Sequence, residues 1–175
     1  MRALNGLQEP IALVRDVGSF CTIAEHLWHA SAERPYIGSN NGRFMGTAIP
    51  GAIGASLALE QPTACLVGDG GIRMYPTEIK LAVVYRLPIC FILMRDGRFG
   101  GVACAPQPKP MSSVATNIVG PSWLESVEGT GCQSVSVETE AELCAALGGW
   151  SRQEPIFIEA CFDPDAYCDT TQKLR

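Results

Sequence analysis

The chain has 175 residues, enough for one domain with a hydrophobic core and little room for a second. Hydrophobic residues make up 47% of it and charged residues 18%, so we expect it to fold, and its net charge of −5 argues against nucleic acid as a partner. It has no apolar run of about 18 residues and no apolar signal-peptide core, so we predict a cytoplasmic protein without membrane insertion.

Short apolar runs alternate with segments of helical spacing in the first half of the chain. The apolar runs predict buried strands, because their length suits a strand and turn residues bound them. The predicted elements are, in order, the strand 11–14, the helix 20–30, the Gly- and Ala-rich helix 46–59 and the strand 63–67. This order is typical of βαβ units.

The alternation continues in the second half of the chain, with one long interruption. The predicted elements are, in order, the helix 75–85, the strand 88–94, the Gly-, Pro- and Ser-rich loop 97–120, the helix 122–128, the strand 134–137, the helix 140–147 and the strand 155–161. Thr139 is the predicted N-cap of the last helix, and Glu142 completes a capping box. Continuous apolar strands separated by helices indicate a mostly parallel sheet covered on both faces. We therefore predict one α/β domain, residues 1–175, built as a three-layer sandwich.

The eight cysteines indicate neither a metal site nor a disulfide framework. They form no C-x-x-C pair, and their spacing fits no zinc ribbon or finger. Several lie inside apolar runs, as Cys65 and Cys90 do. We predict reduced thiols buried in the core.

The strongest local signal for function is the Gly-rich turn Gly68-Asp69-Gly70-Gly71, at the carboxyl end of the strand 63–67. Ligands of open parallel sheets bind at the carboxyl ends of the strands, and glycines there let backbone N–H groups approach a phosphate. Asp69 alone would repel a phosphate, but it can hold a hard cation that bridges to phosphate oxygens. A plain tight turn is the alternative.

A second carboxylate lies just after the next predicted strand of the core. Asp96 follows the strand 88–94, and a right-handed crossover would place this strand beside the strand 63–67. Asp69 and Asp96 would then stand at one edge of the sheet, close enough to share one Mg²⁺. The alternative is two unrelated aspartates in turns.

The segment 68–100 resembles the cofactor-diphosphate motif of thiamine diphosphate enzymes, which begins with Gly-Asp-Gly and ends in an Asn-Asn pair. Glu78 and Leu87-Pro88 fall where acetolactate synthase-like members carry Glu and Leu-Pro. The segment 16–19 is similar to the loop that meets the diphosphate, and the segment 42–55 to the one that grips the aminopyrimidine. The resemblance spans nearly the whole chain, but covers only the family's diphosphate-binding (PP) domain, and it implies the thiamine diphosphate-binding fold.

Carried over residue by residue, the resemblance implies a site for thiamine diphosphate and Mg²⁺. Asp69 and Asp96 become the side-chain ligands of the metal, and the backbone carbonyl of Arg98 becomes a main-chain ligand. Met45 matches the large apolar residue that wedges the cofactor into its bent, reactive shape, which is a role in catalysis. The implied cofactor-binding residues are Ser19, Arg43, Met45, Gly68, Gly70, Gly71 and Ile72.

The sequence departs from the family at two positions of the site. Asp96 stands where most members have Asn, which adds negative charge beside the diphosphate. Arg43 replaces a Gly whose carbonyl meets the amino group of the cofactor. The Arg43 carbonyl can still serve, and its guanidinium either faces solvent or binds a substrate carboxylate, sulfonate or phosphonate. Arg43 is therefore a second candidate catalytic residue.

The resemblance also implies a missing partner. The family's activating Glu lies in a separate pyrimidine-binding (PYR) domain, for which this chain has no length left, so we predict a PYR-domain partner chain, as in sulfopyruvate decarboxylase. The expected hetero-oligomer is a decarboxylase or carboligase of a 2-oxo acid. One alternative is a catalytically silent thiamine diphosphate-binding or scaffold subunit. A nicotinamide-binding Rossmann protein is disfavoured, because GDGGIR lacks the G-x-G-x-x-G pattern.

Overall fold

Six strands form one sheet in which every pairing is parallel. The computed structural model describes residues 1–7, 9–39, 42–103, 112–163, 165 and 173. The strands are β1 (Ala12–Arg15), β2 (Tyr36–Gly38), β3 (Thr63–Gly68), β4 (Ile89–Arg95), β5 (Gln133–Val137) and β6 (Ile156–Cys161). Their order across the sheet is β2-β1-β3-β4-β6-β5, so β3 and β4 are central neighbours.

Helices connect these strands. They are α1 (Arg2–Asn5), α2 (Ser19–Leu27), α3 (Ala48–Leu59), α4 (Asp69–Ile72), α5 (Ile79–Val84), α6 (Gly100–Ala103), α7 (Ser113–Thr116), α8 (Leu124–Glu128) and α9 (Glu140–Gly149). A short 3₁₀ helix, Pro76–Glu78, leads into α5. None of the helices in the described ranges is long and apolar enough to cross a membrane.

The sheet carries a separate hydrophobic core on each face, because alternate side chains of a strand point to opposite faces. On one face, Val67 and Phe91 pack with residues of α3, α5 and α8. On the other face, Leu66 and Ile92 pack with residues of α1, α2 and α9. Helices thus cover both faces of a parallel sheet, and the predicted three-layer α/β sandwich is confirmed.

Several boundaries differ from the sequence prediction. The strand β2 was not expected, because it is only three residues long and its half-buried edge position leaves no continuous apolar run. The predicted turn at 68–71 is helical from Asp69 onward, so α4 begins where β3 ends. Helix α2 ends at Leu27 rather than at residue 30. The predicted loop 97–120 contains α6 and α7, while its residues 104–111 lie outside the described residues.

The cysteines follow the core prediction in part. Four of them are buried, Cys21, Cys65, Cys90 and Cys132. Burial raises the pKa of the Cys21 thiol to about 12, which keeps it protonated and unreactive. In contrast to the prediction, Cys144 is exposed and Cys161 is half-buried, while Cys104 and Cys168 lie outside the described residues.

The capping box of α9 is present as predicted and allows a first test of the fold. The Thr139 hydroxyl accepts from the Glu142 N–H at 3.2 Å, and the Glu142 carboxylate accepts in return from the Thr139 N–H, also at 3.2 Å. We expect Thr139→Ala to lower the free energy of unfolding by about 1 kcal/mol, because the first turn loses an acceptor for a backbone donor. Urea unfolding followed by circular dichroism measures this. Ser126→Ala, at an exposed position of α8, is the control and should change stability little; an equal loss in both variants would contradict the capping role.

Candidate active site at the carboxyl edge of the sheet

A cavity of about 250 Å³ opens where β1, β3 and β4 end. Nearly all the site residues predicted from the sequence line it: Ser19, Arg43, Met45, Gly68, Asp69, Gly70, Gly71, Asp96 and Arg98. Ile72 is the exception, because its side chain is fully buried in the core beside α3. The tertiary structure thus brings together residues from four separate parts of the chain.

Asp69 and Asp96 stand at the ends of the neighbouring strands β3 and β4. Gly68 pairs with Met94 in the sheet, so the residues that follow them emerge side by side. One carboxylate oxygen of Asp69 accepts from the backbone N–H groups of Asp96 and Gly97, each at 2.9 Å. The Asp69 carboxylate therefore contacts the turn that carries Asp96, and the two residues lie at the same edge of the sheet, as a right-handed crossover predicts.

The electrostatics at this edge favour a cation. Burial raises the pKa of Asp69; the N–H groups of Gly97 and Asp96 oppose that effect, and the negative charge of Asp96 adds to it. A divalent cation between the two carboxylates would relieve both the burial and the repulsion. Oxygen ligands of this kind suit Mg²⁺.

The described residues offer this cation two carboxylates and a main-chain oxygen. They contain no cluster of three or more histidine, cysteine, aspartate or glutamate side chains suited to a metal. The main-chain oxygen is the carbonyl oxygen of Arg98, which accepts from the Gly100 N–H at 3.0 Å. The remaining positions around a metal here would fall to oxygens of a bound ligand or water.

The glycines after β3 let side chains pack directly on the backbone of the cavity wall. A β-carbon at Gly70 would come within 2.6 Å of the Phe99 ring and 3.3 Å of the Met45 sulfur. A β-carbon at Gly68 would come within 2.8 Å of the Phe20 ring. A side chain at either position would therefore push into the residues that line the cavity.

The hydroxyl of Ser19 is a buried polar group at the cavity. Ser19 is 1% exposed, begins α2 and lines the cavity, and within the described ranges its hydroxyl oxygen has no hydrogen-bond partner. A buried polar group without a partner is costly, and a phosphate oxygen would satisfy it. The buried hydroxyl and the two carboxylates that line the same cavity fit a metal-bound diphosphate.

Asp16 supports the site without lining the cavity, and the sequence analysis did not select it as a site residue. Its fully buried carboxylate accepts from the Gly46 N–H with both oxygens, at 2.8 and 2.9 Å. Burial raises the pKa of Asp16, and backbone N–H groups, that of Gly46 first, offset the shift. Asp16 thus fixes the segment that carries Arg43 and Met45 to the cavity. The available signal was a carboxylate placed directly after a buried strand.

Arg43 and Met45 lie at the mouth of the cavity. Arg43 has a φ of 49°, in the left-handed region that costs a non-glycine residue energy and that a glycine would adopt more easily. Its side chain is exposed, and Met45 is 40% exposed although it lines the cavity. Both are placed to meet a ligand that enters the cavity from outside.

Comparisons with known proteins show which family and which proteins this chain is similar to. The profile of the family "Thiamine pyrophosphate enzyme, C-terminal TPP binding domain" matches residues 16–160. A proposed acetolactate synthase large subunit of Mycobacterium tuberculosis is 28% identical over 69% of this chain and 22% of its own length. An acetolactate synthase of Bacillus subtilis is 25% identical over 91% of this chain and 28% of its own length.

A solved structure shows the same fold. A proposed thiamin diphosphate-dependent enzyme from Mycobacterium smegmatis superposes with a TM-score of 0.74 at 20% sequence identity. The match covers 93% of this chain and 30% of that one. The chain therefore spans less than a third of each of these three proteins.

Proposed function

Since the chain belongs to the family of C-terminal thiamine pyrophosphate-binding domains of thiamine pyrophosphate enzymes, we propose that it is the PP-domain subunit of a two-component 2-oxo acid decarboxylase or carboligase. The observation that carries this proposal is the meeting of Asp69, Asp96 and the unpartnered Ser19 hydroxyl in one cavity. Candidate metal ligands and a hydrogen-bond donor for a phosphate oxygen then line the same cavity. The proposed cofactors are thiamine diphosphate and Mg²⁺.

The site residues predicted from the sequence have proposed roles in binding. Asp69, Asp96 and the carbonyl of Arg98 hold Mg²⁺, and the Ser19 hydroxyl donates to a phosphate oxygen. The backbone N–H groups of Gly70, Gly71 and Ile72 face the diphosphate. When bound, thiamine diphosphate supplies the electron sink for cleavage of a bond next to a carbonyl carbon.

Met45 and Arg43 act at the other end of the ligand. Met45 presents an apolar thioether that fills space against the bound cofactor without competing for its hydrogen bonds. The Arg43 guanidinium stands at the mouth, where it can donate to the carboxylate of an entering 2-oxo acid. These two roles make them the proposed catalytic residues of this chain.

The activating Glu is proposed to come from a PYR-domain partner. The carboxylates that line the cavity within the described part are Glu25, Asp69 and Asp96, and Glu25 is paired with Arg15. Asp69 and Asp96 are assigned to the metal and Glu25 to its ion pair with Arg15, so none of the three is left for the activating role. The partner's Glu would complete the site.

An exposed apolar surface around the mouth supports such a partner. Phe44, Met45, Met74 and Tyr75 are between 40% and 65% exposed. They are neighbours, because a β-carbon at Gly46 would meet both Met74 and Tyr75. Contiguous apolar side chains on a surface mark an interaction site. A PYR-domain chain docked here would cover the mouth of the cavity.

Isothermal titration calorimetry of the purified chain tests the cofactor assignment. We expect thiamine diphosphate to bind in the presence of Mg²⁺ and to lose most of its affinity when EDTA removes the metal. The metal neutralises charge between the carboxylates and the diphosphate, so the two ligands should bind together. Thiamine without phosphate is the control and should bind weakly under both conditions. Binding that is indifferent to Mg²⁺ would contradict the proposed site.

Reconstitution tests the two-component assignment. The chain is co-expressed with the adjacent reading frame, and carbon dioxide release is followed with pyruvate, sulfopyruvate, phosphonopyruvate and longer 2-oxo acids. We expect the chain alone to be slower than the complex by a factor of about 10²–10⁴, the usual worth of a positioned acid–base group. Rapid turnover by the purified chain alone would contradict the proposal. A complex that binds the cofactor but turns over none of these acids would favour the silent-subunit alternative.

A further inference from the structure

Arg15 is a buried cation in the wall of the same cavity. It is the last residue of β1, it is 3% exposed, and it lines the cavity together with Ser19 and Glu25. Its guanidinium forms an ion pair with Glu25 at 3.1 Å and lies 5.9 Å from the centre of the Tyr36 ring. A buried guanidinium has to be paired, and Glu25 together with nearby backbone carbonyl groups holds this one in the cavity wall.

The charges at the proposed metal site leave a need for such a cation. The two negative charges of the Asp69 and Asp96 carboxylates together balance the two positive charges of one divalent metal ion. The terminal phosphate of a diphosphate adds about 1.5 to 2 negative charges at neutral pH, by analogy with a phosphate monoester. Negative charge therefore remains in excess when the metal and the diphosphate are both bound, and a positive group near the phosphates would stabilise them.

The other arginines near the cavity are engaged elsewhere or lie at its mouth. Arg98 pairs with Asp165 at 2.8 Å, and Arg43 is exposed at the mouth. Arg95 pairs with the buried Glu159 at 2.7 Å, and Arg73 donates to the Val119 carbonyl at 3.0 Å. Among the described residues that line the cavity, Arg15 is the arginine held inside the wall.

We propose that Arg15 contacts the terminal phosphate of the cofactor diphosphate and that Glu25 holds its guanidinium toward the cavity. This inference rests on the proposed function. An arginine offers several N–H donors in a planar fork that matches phosphate oxygens. The hydroxyl of Ser19, buried in the same wall without a hydrogen-bond partner among the described residues, points independently to a ligand with a hydrogen-bond acceptor there.

Three variants of the pair test this assignment by calorimetry at a fixed Mg²⁺ concentration. Thiamine diphosphate and thiamine monophosphate are the two probes, because only the first carries the second, outer phosphate that Arg15 is proposed to contact. Arg15→Gln should weaken the diphosphate by about tenfold or more, the worth of a charged hydrogen bond, and leave the monophosphate within about twofold. Glu25→Gln should tighten the diphosphate by about two- to fivefold, because it removes a competing negative charge while its amide oxygen can still accept from the guanidinium and keep it oriented. The double variant should weaken the diphosphate like Arg15→Gln.

The opposite signs of the two single variants separate ligand contact from a structural role. If the pair only stabilises the fold, both single variants weaken both probes together, and the inference is overturned. Arg86→Gln, which breaks the exposed Arg86–Glu154 pair at 2.6 Å, is the matched control and should leave the affinity ratio unchanged. Melting temperatures show whether each variant folds; if Arg15→Gln does not, weaker diphosphate binding by Glu25→Gln still overturns the inference.

The wild-type result distinguishes this inference from the proposed function. If the unmodified chain binds the diphosphate with Mg²⁺ but Arg15→Gln keeps the wild-type ratio of the two affinities, only the contact by Arg15 is wrong. If the unmodified chain binds no diphosphate, the proposed function fails and the inference fails with it.

Discussion

Asp69→Asn is expected to lower the affinity for thiamine diphosphate in the presence of Mg²⁺ by about 100-fold or more, since loss of mere supporting partners of a metal ligand costs 10–100-fold. Asp69 is 6% exposed, and its carboxylate is aimed at the turn that carries Asp96. The substitution removes the buried charge that draws the cation, while the amide oxygen can still accept from the N–H groups of Asp96 and Gly97. The loss should therefore come from the metal site rather than from unfolding.

Asp96→Asn is the matched variant, with the same chemical change on the neighbouring strand. Its carboxylate accepts from the Arg98 N–H at 3.1 Å, which an amide oxygen can also do. Asn is also the residue expected here from the motif that this segment resembles, so we expect binding to survive. Calorimetry of both variants, with and without Mg²⁺, measures the difference. Equal losses for the two variants would refute the unequal roles assigned to these carboxylates, and an unchanged affinity for Asp69→Asn would refute the metal site.

Gly71→Ala is expected to lower the free energy of unfolding by about 1–3 kcal/mol, the usual cost of an overpacked core. A β-carbon at Gly71 would overlap the carboxylate of Asp16, which is fully buried and cannot turn toward solvent. Asp16 would have to release the Gly46 N–H, and the segment that carries Met45 would lose its anchor. Cofactor binding should weaken together with stability.

Gly54→Ala is the control for the chemical change itself. Gly54 lies inside α3, and a β-carbon there would meet nothing within 4 Å. The isolated chain should gain about 0.5–1 kcal/mol, because alanine loses less conformational freedom in a helix than glycine. Thermal and urea unfolding give both values. Two variants of equal stability would show that Asp16 does not pack against Gly71 as described.

The layered fold could be predicted because its cause is local. The residues of β3 and β4 are continuous apolar runs, which are typical of strands buried on both faces. A helix elsewhere in the chain, α9, carries its own signal in the capping box at Thr139. The edge strand β2 could not be predicted in this way. Its residues Tyr36–Gly38 are half-buried, and pairing with β1 rather than composition makes them a strand.

The family and the position of Asp69 and Asp96 at one edge of the sheet could be predicted from the sequence, because a strand end and the Gly-rich turn after it consist of consecutive residues. That Asp16 holds the Met45 segment and that Arg15 is buried against Glu25 in the cavity wall is visible only in the folded structure. These contacts join residues far apart in the chain, and the burial that gives each charge its importance exists only once the layers have packed.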